Sequence, residues 1–316
     1  MKAKYLLKGL LKCIPGIEYL YEFNKNTGGT CSARYCYSVW LRHLIFAYQS
    51  GLTSVPKIIA ELGPGDSIGT GIAALISGVE KYYPLDVKIY SNVEVNLKIF
   101  DDLVILFKQR SNVPNEVEFP EVRPLLNNYN FPDYIFSHNY LKEILNETRL
   151  STIRNAIKTM HNSDVQGKII EYKVPWYEKT DLEDESLDMV FSQATLQDVD
   201  DLEYTYKRIW QLLKVNGLQS HDIGFKSCGS ADTWFGHWEY SDIEWKIIKG
   251  RKKFYINREP YSTHSKLLKK NNFEIILEQK QFAESRINRK KLPSRFKNMT
   301  DEDLVTYSIF LQAKKI

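Results

Sequence analysis

The stretch "KIIAELGPGDSIGTGIAALISG", Lys57 to Gly78, decides the fold. An apolar run, Ile58 to Ala60, leads into four glycines within nine positions: Gly63, Gly65, Gly69 and Gly71. Ile68, Ile72, Leu75 and Val79 then recur at helical spacing. Strand, glycine turn and helix in that order are how α/β proteins hold a nucleotide-like ligand. A dinucleotide turn needs GxGxxG, and Ile68 occupies the third glycine position. A phosphate-binding loop needs a lysine, and none lies between Lys57 and Lys81. Glu61 and Asp66 instead place two carboxylates where phosphates would go, which disfavours an anion. A ligand with an ammonium group and no phosphate suits that turn.

The rest of the chain repeats the alternation. Further strands are predicted at "DVKIYS", "GKIIEYKV", "SLDMVFSQ", "GLQSHDIGF", "FEIILEQK" and "LVTYSIFLQA", separated by helical faces such as Leu97, Phe100, Val104, Phe107 and Leu202, Tyr206, Ile209, Leu213. The expected fold is α/β: a doubly wound, mostly parallel seven-stranded sheet with helical insertions. Residues 1–55 read as an N-terminal helical extension. Residues 56–316 form the main domain, with insertions at about 108–165 and 226–264.

The totals fit a globular protein: 43 basic against 39 acidic residues, net +4, with 43% hydrophobic residues. That charge is too mild to call for nucleic acid, and the basic runs 249–253 and 286–297 read first as solvated faces. Cys13, Cys31, Cys36 and Cys228 show neither CxxC pairs nor histidines at ligand spacing, so no metal or disulfide framework is expected and a cytoplasmic setting fits. Lys4, Lys8 and Lys12 run along one side of the N-terminal segment, and Leu7, Leu10, Leu11 and Ile14 line the other side. A terminal helix packed on the body is the preferred reading; a basic helix in peripheral contact with a membrane is the other. Nothing in the sequence sets an oligomeric state.

With these residues in view, "ELGPG" resembles the first motif of class I S-adenosylmethionine-dependent methyltransferases, with Glu61, Gly63 and Gly65 matching and Ser67 at the usual third glycine. The block "SLDMVFSQATLQDVDD…LKVNG" resembles the family's fourth strand and following helix, departing at Asp198 and Asn216. "GGTCSARYCYSVWLRHL" and "SHDIGF…WFGHWEYSDIEW" look like a bacterial subfamily associated with glycan biosynthesis. The resemblance implies a Rossmann-like methyltransferase fold and S-adenosyl-L-methionine as cofactor. It implies donor contacts at Glu61, Gly63, Gly65, Ser67, Asp86, Gln193 and Ala194, with Asp86 taking the ribose hydroxyls. His221 is the expected base and Asp222 either orients it or binds a sugar hydroxyl. Trp234, His237, Trp238, Arg258 and His264 are expected at the acceptor, and Arg34 and Arg42 at the donor's carboxylate if the N-terminal segment folds over it. The expected partner is a small-molecule or glycan acceptor, methylated on oxygen. The rivals are a donor-binding module without catalysis and a nicotinamide-dependent oxidoreductase of similar fold.

Overall fold

The computed structural model describes residues 2–12, 29–162, 168–177, 182–252 and 254–316. Cys13 and Ile14 lie outside them. Six strands form one mixed sheet in the order β2-β1-β3-β4-β6-β5: β1 (Ile58–Leu62), β2 (Lys81–Leu85), β3 (Leu187–Gln193), β4 (Leu213–Gly224), β5 (Phe273–Phe282) and β6 (Thr306–Lys315). The first four are parallel, and β6 runs antiparallel to both its neighbours. The chain order reverses direction at β1, so β1 and β3 border the crevice at which such sheets bind ligands.

Two departures from the sequence reading share one cause. The second strand is "KYYPL", upstream of "DVKIYS", and the seventh strand is absent as a named element. Residues 169–173 nonetheless run parallel to β2, touching it at two isolated bridges, Tyr82 to Ile170 and Leu85 to Lys173. Tyr82 donates to the Ile169 carbonyl, Glu171 and Lys173 donate to Tyr82 and Pro84, and Asp86 donates to Lys173. The missing rung is the one Pro84 would supply, because proline has no N–H. Its empty position faces the outer edge, so β2 keeps its pairing with β1.

Both faces of the sheet are covered. On one face pack α1's successor α2 (Ala33–Gln49), α3 (Gly69–Ile76), α4 (Val93–Lys108), α5 (His138–Ile144) and α6 (Glu147–Thr159); α1 itself spans Lys2–Lys12. On the other lie α7 (Leu202–Leu212), α9 (Tyr261–Lys270), Phe235, Trp238 and the stretch around Phe296 and Leu304. Between α7 and α9 the chain forms α8 (Asp242–Lys249), and α10 (Asp301–Val305) precedes β6. Helix α2 is capped by Ser32, whose hydroxyl accepts from the Tyr35 N–H, and it is buried over most of its length. Its Arg42 is wholly buried, donating to the Ser38 hydroxyl and to the carbonyls of Pro114 and Pro124. Arg34 pairs bidentately with Glu118, both contacts at 2.6 Å. Neither arginine reaches for a ligand: both clamp the segment 113–124 onto α2.

Candidate active site

The glycine turn leaves β1 with Gly63 at φ +65 and Gly65 at φ +74, left-handed conformations that favour glycine. A side chain at Gly63 would stand 2.6 Å from Thr195, so the turns after β1 and β3 touch across the crevice. Asp86 follows β2; its carboxylate accepts the Val87 N–H at 2.7 Å and the Gly65 N–H at 3.4 Å. Burial pushes its carboxyl upward against those bonds.

Glu61 does not face the crevice openly. It is 3% exposed, accepts the Tyr82 hydroxyl, and is further held by Thr70 and the Gly71 N–H. Burial raises its carboxyl to about 8 against those three donors. Its part is to bind the turn to the sheet. Ser67 is likewise buried, donating to the Thr30 carbonyl and accepting the Gly69 N–H at 3.1 Å. Tyr35, near the start of α2, spans between these elements. Burial and the carboxylates of Asp222 and Glu61 hold its phenol well above the usual range.

His221 and Asp222 are consecutive on β4, so their side chains leave opposite faces of the sheet. That separates the pair the sequence had joined. His221 is fully buried on the α9 side, with Nδ1 against the Ser192 hydroxyl at 2.7 Å and Nε2 against Gln219 Oε1 at 3.1 Å. Burial, with His43 and His264 nearby, drives it well below 6.5. Both ring nitrogens are occupied and neither meets a crevice, so His221 is a structural residue and not the base.

Asp222 lies on the α2 side, at the carboxyl end of β4. Gln193 donates to its Oδ2 at 2.8 Å, while Oδ1 is buried with no partner among the described residues. Burial raises this carboxyl to about 7, with Arg123, Lys226 and Arg42 opposing the rise. The Gln193 amide is itself fixed in a chain: its oxygen lies 3.2 Å from His43 Nε2, His43 Nδ1 lies 2.7 Å from the Ser220 hydroxyl, and Gln312 donates to Ser220 at 3.0 Å. In that order the neutral imidazole donates from Nε2 and accepts at Nδ1, and the Gln193 NH₂ is left for Asp222. Ala194 follows in the left-handed region, φ +53, and donates its N–H to the Asp222 carbonyl at 2.9 Å.

Of the residues expected at the acceptor, Trp234 alone is open, at 52% exposure. Its ring lies 6.0 Å from that of Tyr307, and the Lys226 ammonium stands over both, 5.1 and 5.2 Å from the centroids. Arg123 donates to the Tyr307 hydroxyl at 3.4 Å, which joins this wall to the charges around Asp222. The other four are packing groups. Trp238 is fully buried, stacks on Phe235 and donates to the Arg258 carbonyl. Arg258 is spent on the Tyr240 carbonyl and Asp242, and His264 faces the Tyr206 hydroxyl in the second core. His237 is 2% exposed beside Trp238. Tyr35, Arg123 and Tyr307, which reach the site from α2, the first insertion and β6, carry no motif that marks them in the sequence.

Four buried histidines make the fold acid-sensitive. Burial lowers His43 to about 4 and His237 and His264 to about 3, and it drives His221 well below its usual value. Unfolded, each titrates near ~6.5. Folded values below unfolded ones mean stability that is intact above pH ~6.5 and lost as pH falls. Glu61 and Asp222, raised to about 8 and about 7, act with the opposite sign. At pH ~5 unfolding therefore takes up roughly two protons net, a slope of about 3 kcal/mol per pH unit. Urea midpoints measured from pH 6 to 5 should fall steeply, and a flat series would contradict the burial of these rings.

Comparison with known proteins adds one partial match. Residues 135–219 match the family model described as "Methyltransferase domain". The span covers α5 to the first half of β4, including Gln193 and Ala194 but not the glycine turn. Among curated proteins none matches. Similar solved structures include a putative S-adenosylmethionine dependent methyltransferase from Listeria monocytogenes, at 14% identity over 88% of this chain and 98% of that one, TM-score 0.41. A SAM-dependent methyltransferase from Methanosarcina mazei gives 14% identity over 86% and 97%, TM-score 0.44. Geranyl diphosphate C-methyltransferase from Streptomyces coelicolor gives 8% identity over 87% and 78%, TM-score 0.44.

Proposed function

We propose that this chain, an S-adenosylmethionine-dependent methyltransferase, methylates an oxygen of a small or sugar-containing acceptor, with Asp222 taking the acceptor's proton. The observation that carries the reading is Asp222 Oδ1: a buried carboxylate oxygen without a partner, on a group poised near pH 7 and fixed by Gln193. A base is useful when its pKa lies near the working pH, and one so placed adds about 10²–10⁴-fold.

The crevice fits the cofactor. It offers a turn held in left-handed backbone at Gly63 and Gly65, the Asp86 carboxylate beside Gly65 for a ribose diol, and no lysine or arginine from Leu62 to Glu80. Gln193 and Ala194 close the opposite side. When bound, the cofactor supplies a methyl group on a sulfonium sulfur. The acceptor oxygen forms its bond to that carbon in line as the carbon–sulfur bond breaks, and its proton passes to Asp222. Holding the acceptor in line is worth more than the base, roughly 7–11 kcal/mol. Trp234 and Tyr307 supply an aromatic face on which a sugar ring can lie, and this favours a glycan-type acceptor. A nicotinamide cofactor suits the site poorly, since its pyrophosphate would meet Asp66 and Asp86 with no lysine or arginine between Leu62 and Glu80.

Calorimetric titration with S-adenosylhomocysteine tests the reading. Micromolar binding is expected, weakened about tenfold by Asp86→Ala, or about 1.4 kcal/mol. NAD should give no heat. A folded wild type that ignores S-adenosylhomocysteine would remove the methyltransferase reading; tight binding without transfer to any hydroxyl acceptor would leave the donor-binding module.

A further inference from the structure

Helix α1, "KAKYLLKGLLK", carries four lysines, four leucines and no acidic residue. Amphipathic helices ordinarily turn their apolar stripe toward the body of the protein. Here the arrangement is reversed. Tyr5 and Gly9 dock on α8, where a side chain at Gly9 would stand 2.2 Å from the Ile247 carbonyl, and the Tyr5 hydroxyl donates to Asp232 at 2.7 Å. The leucines of the opposite side stand out: Leu7 is 62% exposed, Leu10 53% and Leu11 43%. Lys4 and Lys8 are exposed along the edge of that stripe, and Ile243 of the neighbouring α8 is 77% exposed.

We infer that this face of α1 binds a membrane surface bearing anionic lipids. Leucines presented outward on a helix pinned along its far side enter the boundary between head groups and acyl chains, and flanking lysines reach the anionic head groups. The charge pattern selects this occupant over an ordinary protein surface: Lys2 is taken up by Glu244 on the docked side, while Lys4 and Lys8, exposed beside the leucines on a helix without an acidic residue, complement a negatively charged lipid layer. Residues of α1 hold Asp232, two positions before Trp234, so the helix and the acceptor wall are parts of one body. Surface binding would thus bring the site to acceptors carried on lipid. The inference stands on α1 alone and does not depend on the chemistry assigned to Asp222.

The test is co-sedimentation of the full chain with vesicles of phosphatidylcholine alone, or with about a third of phosphatidylglycerol added, at low and high salt. The expected result is binding to the anionic vesicles only. It should weaken at least about tenfold in high salt, in Lys4→Glu/Lys8→Glu and in Leu7→Glu/Leu11→Glu. Circular dichroism and melting check that the variants fold, and Leu10→Gln serves as a milder change where a double variant does not. A wild type that stays in solution with anionic vesicles overturns the inference, as when the chain's own residues cover the stripe. So does equal binding by wild type and variants. A wild-type dimer that the leucine variants convert to monomer assigns the face to a second copy instead.

Discussion

Asp222→Asn should lower the methyl-transfer rate by about 10²–10⁴-fold while leaving affinity for S-adenosylhomocysteine largely unchanged. The wild-type rate should climb with pH through about 7, where Asp222 loses its proton, and level off above; the Asn variant should lack that step. Stability should move the other way. Because the folded pKa lies above the unfolded one, the stability linked to this group is fully present at low pH and is lost as pH rises through about 7. At pH ~8 the wild type carries a buried charge costing on the order of 4 kcal/mol at most, which asparagine does not. The variant should therefore melt higher than wild type at pH 8, by less at pH 5, and close to it only at about pH 4 and below. An Asn variant as active as wild type would remove Asp222 as the base; one that is both inactive and less stable at pH 8 would make it a structural residue.

The second large effect is on the fold. Gly71→Ala places a methyl group 2.0 Å from Cζ and 2.1 Å from Cε1 of the Tyr82 ring. Tyr82 is completely buried and its hydroxyl is held by Glu61, so the ring has nowhere to go. Overpacking at such a place costs about 3 kcal/mol or more. The urea midpoint should drop accordingly. In the double variant Gly71→Ala/Tyr82→Leu the two changes should be less than additive, because the smaller side chain makes room for the methyl group. Stability within about 0.5 kcal/mol of wild type for Gly71→Ala alone would show that the helix and strand separate more easily than their packing implies.

The glycine turn, β1, β3 and the closing strands were legible because each is an apolar run bounded by turn residues. The second strand was misplaced because Pro84 reads as a strand breaker, and sequence does not reveal that its missing donor would face a loosely paired edge. Helix α8 hides in an aromatic segment, although Ser241 and Glu244 form a capping box and Trp245 and Ile248 mark its buried face. In the site, Gly63, Asp86 and Gln193 were expected from position, and the structure places them at the ends of β1, β2 and β3. The assignment of His221 failed for a different reason. Both faces of β4 are buried, so the alternation of polar and apolar residues that usually labels a strand's two sides is absent from "QSHDIG". Burial also explains His237, Trp238, Arg258 and His264: their chemistry suits an acceptor site, but the fold spends it on packing.

The placement of His221 and Asp222 on opposite faces has a consequence for how such an enzyme can change. The histidine side is a closed core in which almost any substitution is paid for in folding. The aspartate stands at the end of its strand near the charges of Arg123 and Lys226, which adjoin Trp234 and Tyr307; these four residues come from three pieces of chain, the first insertion, residues 226–234 and β6. On the proposed function, a descendant exchanges one acceptor for another by altering those three pieces one at a time, with Asp222 and the opposite core left as they are.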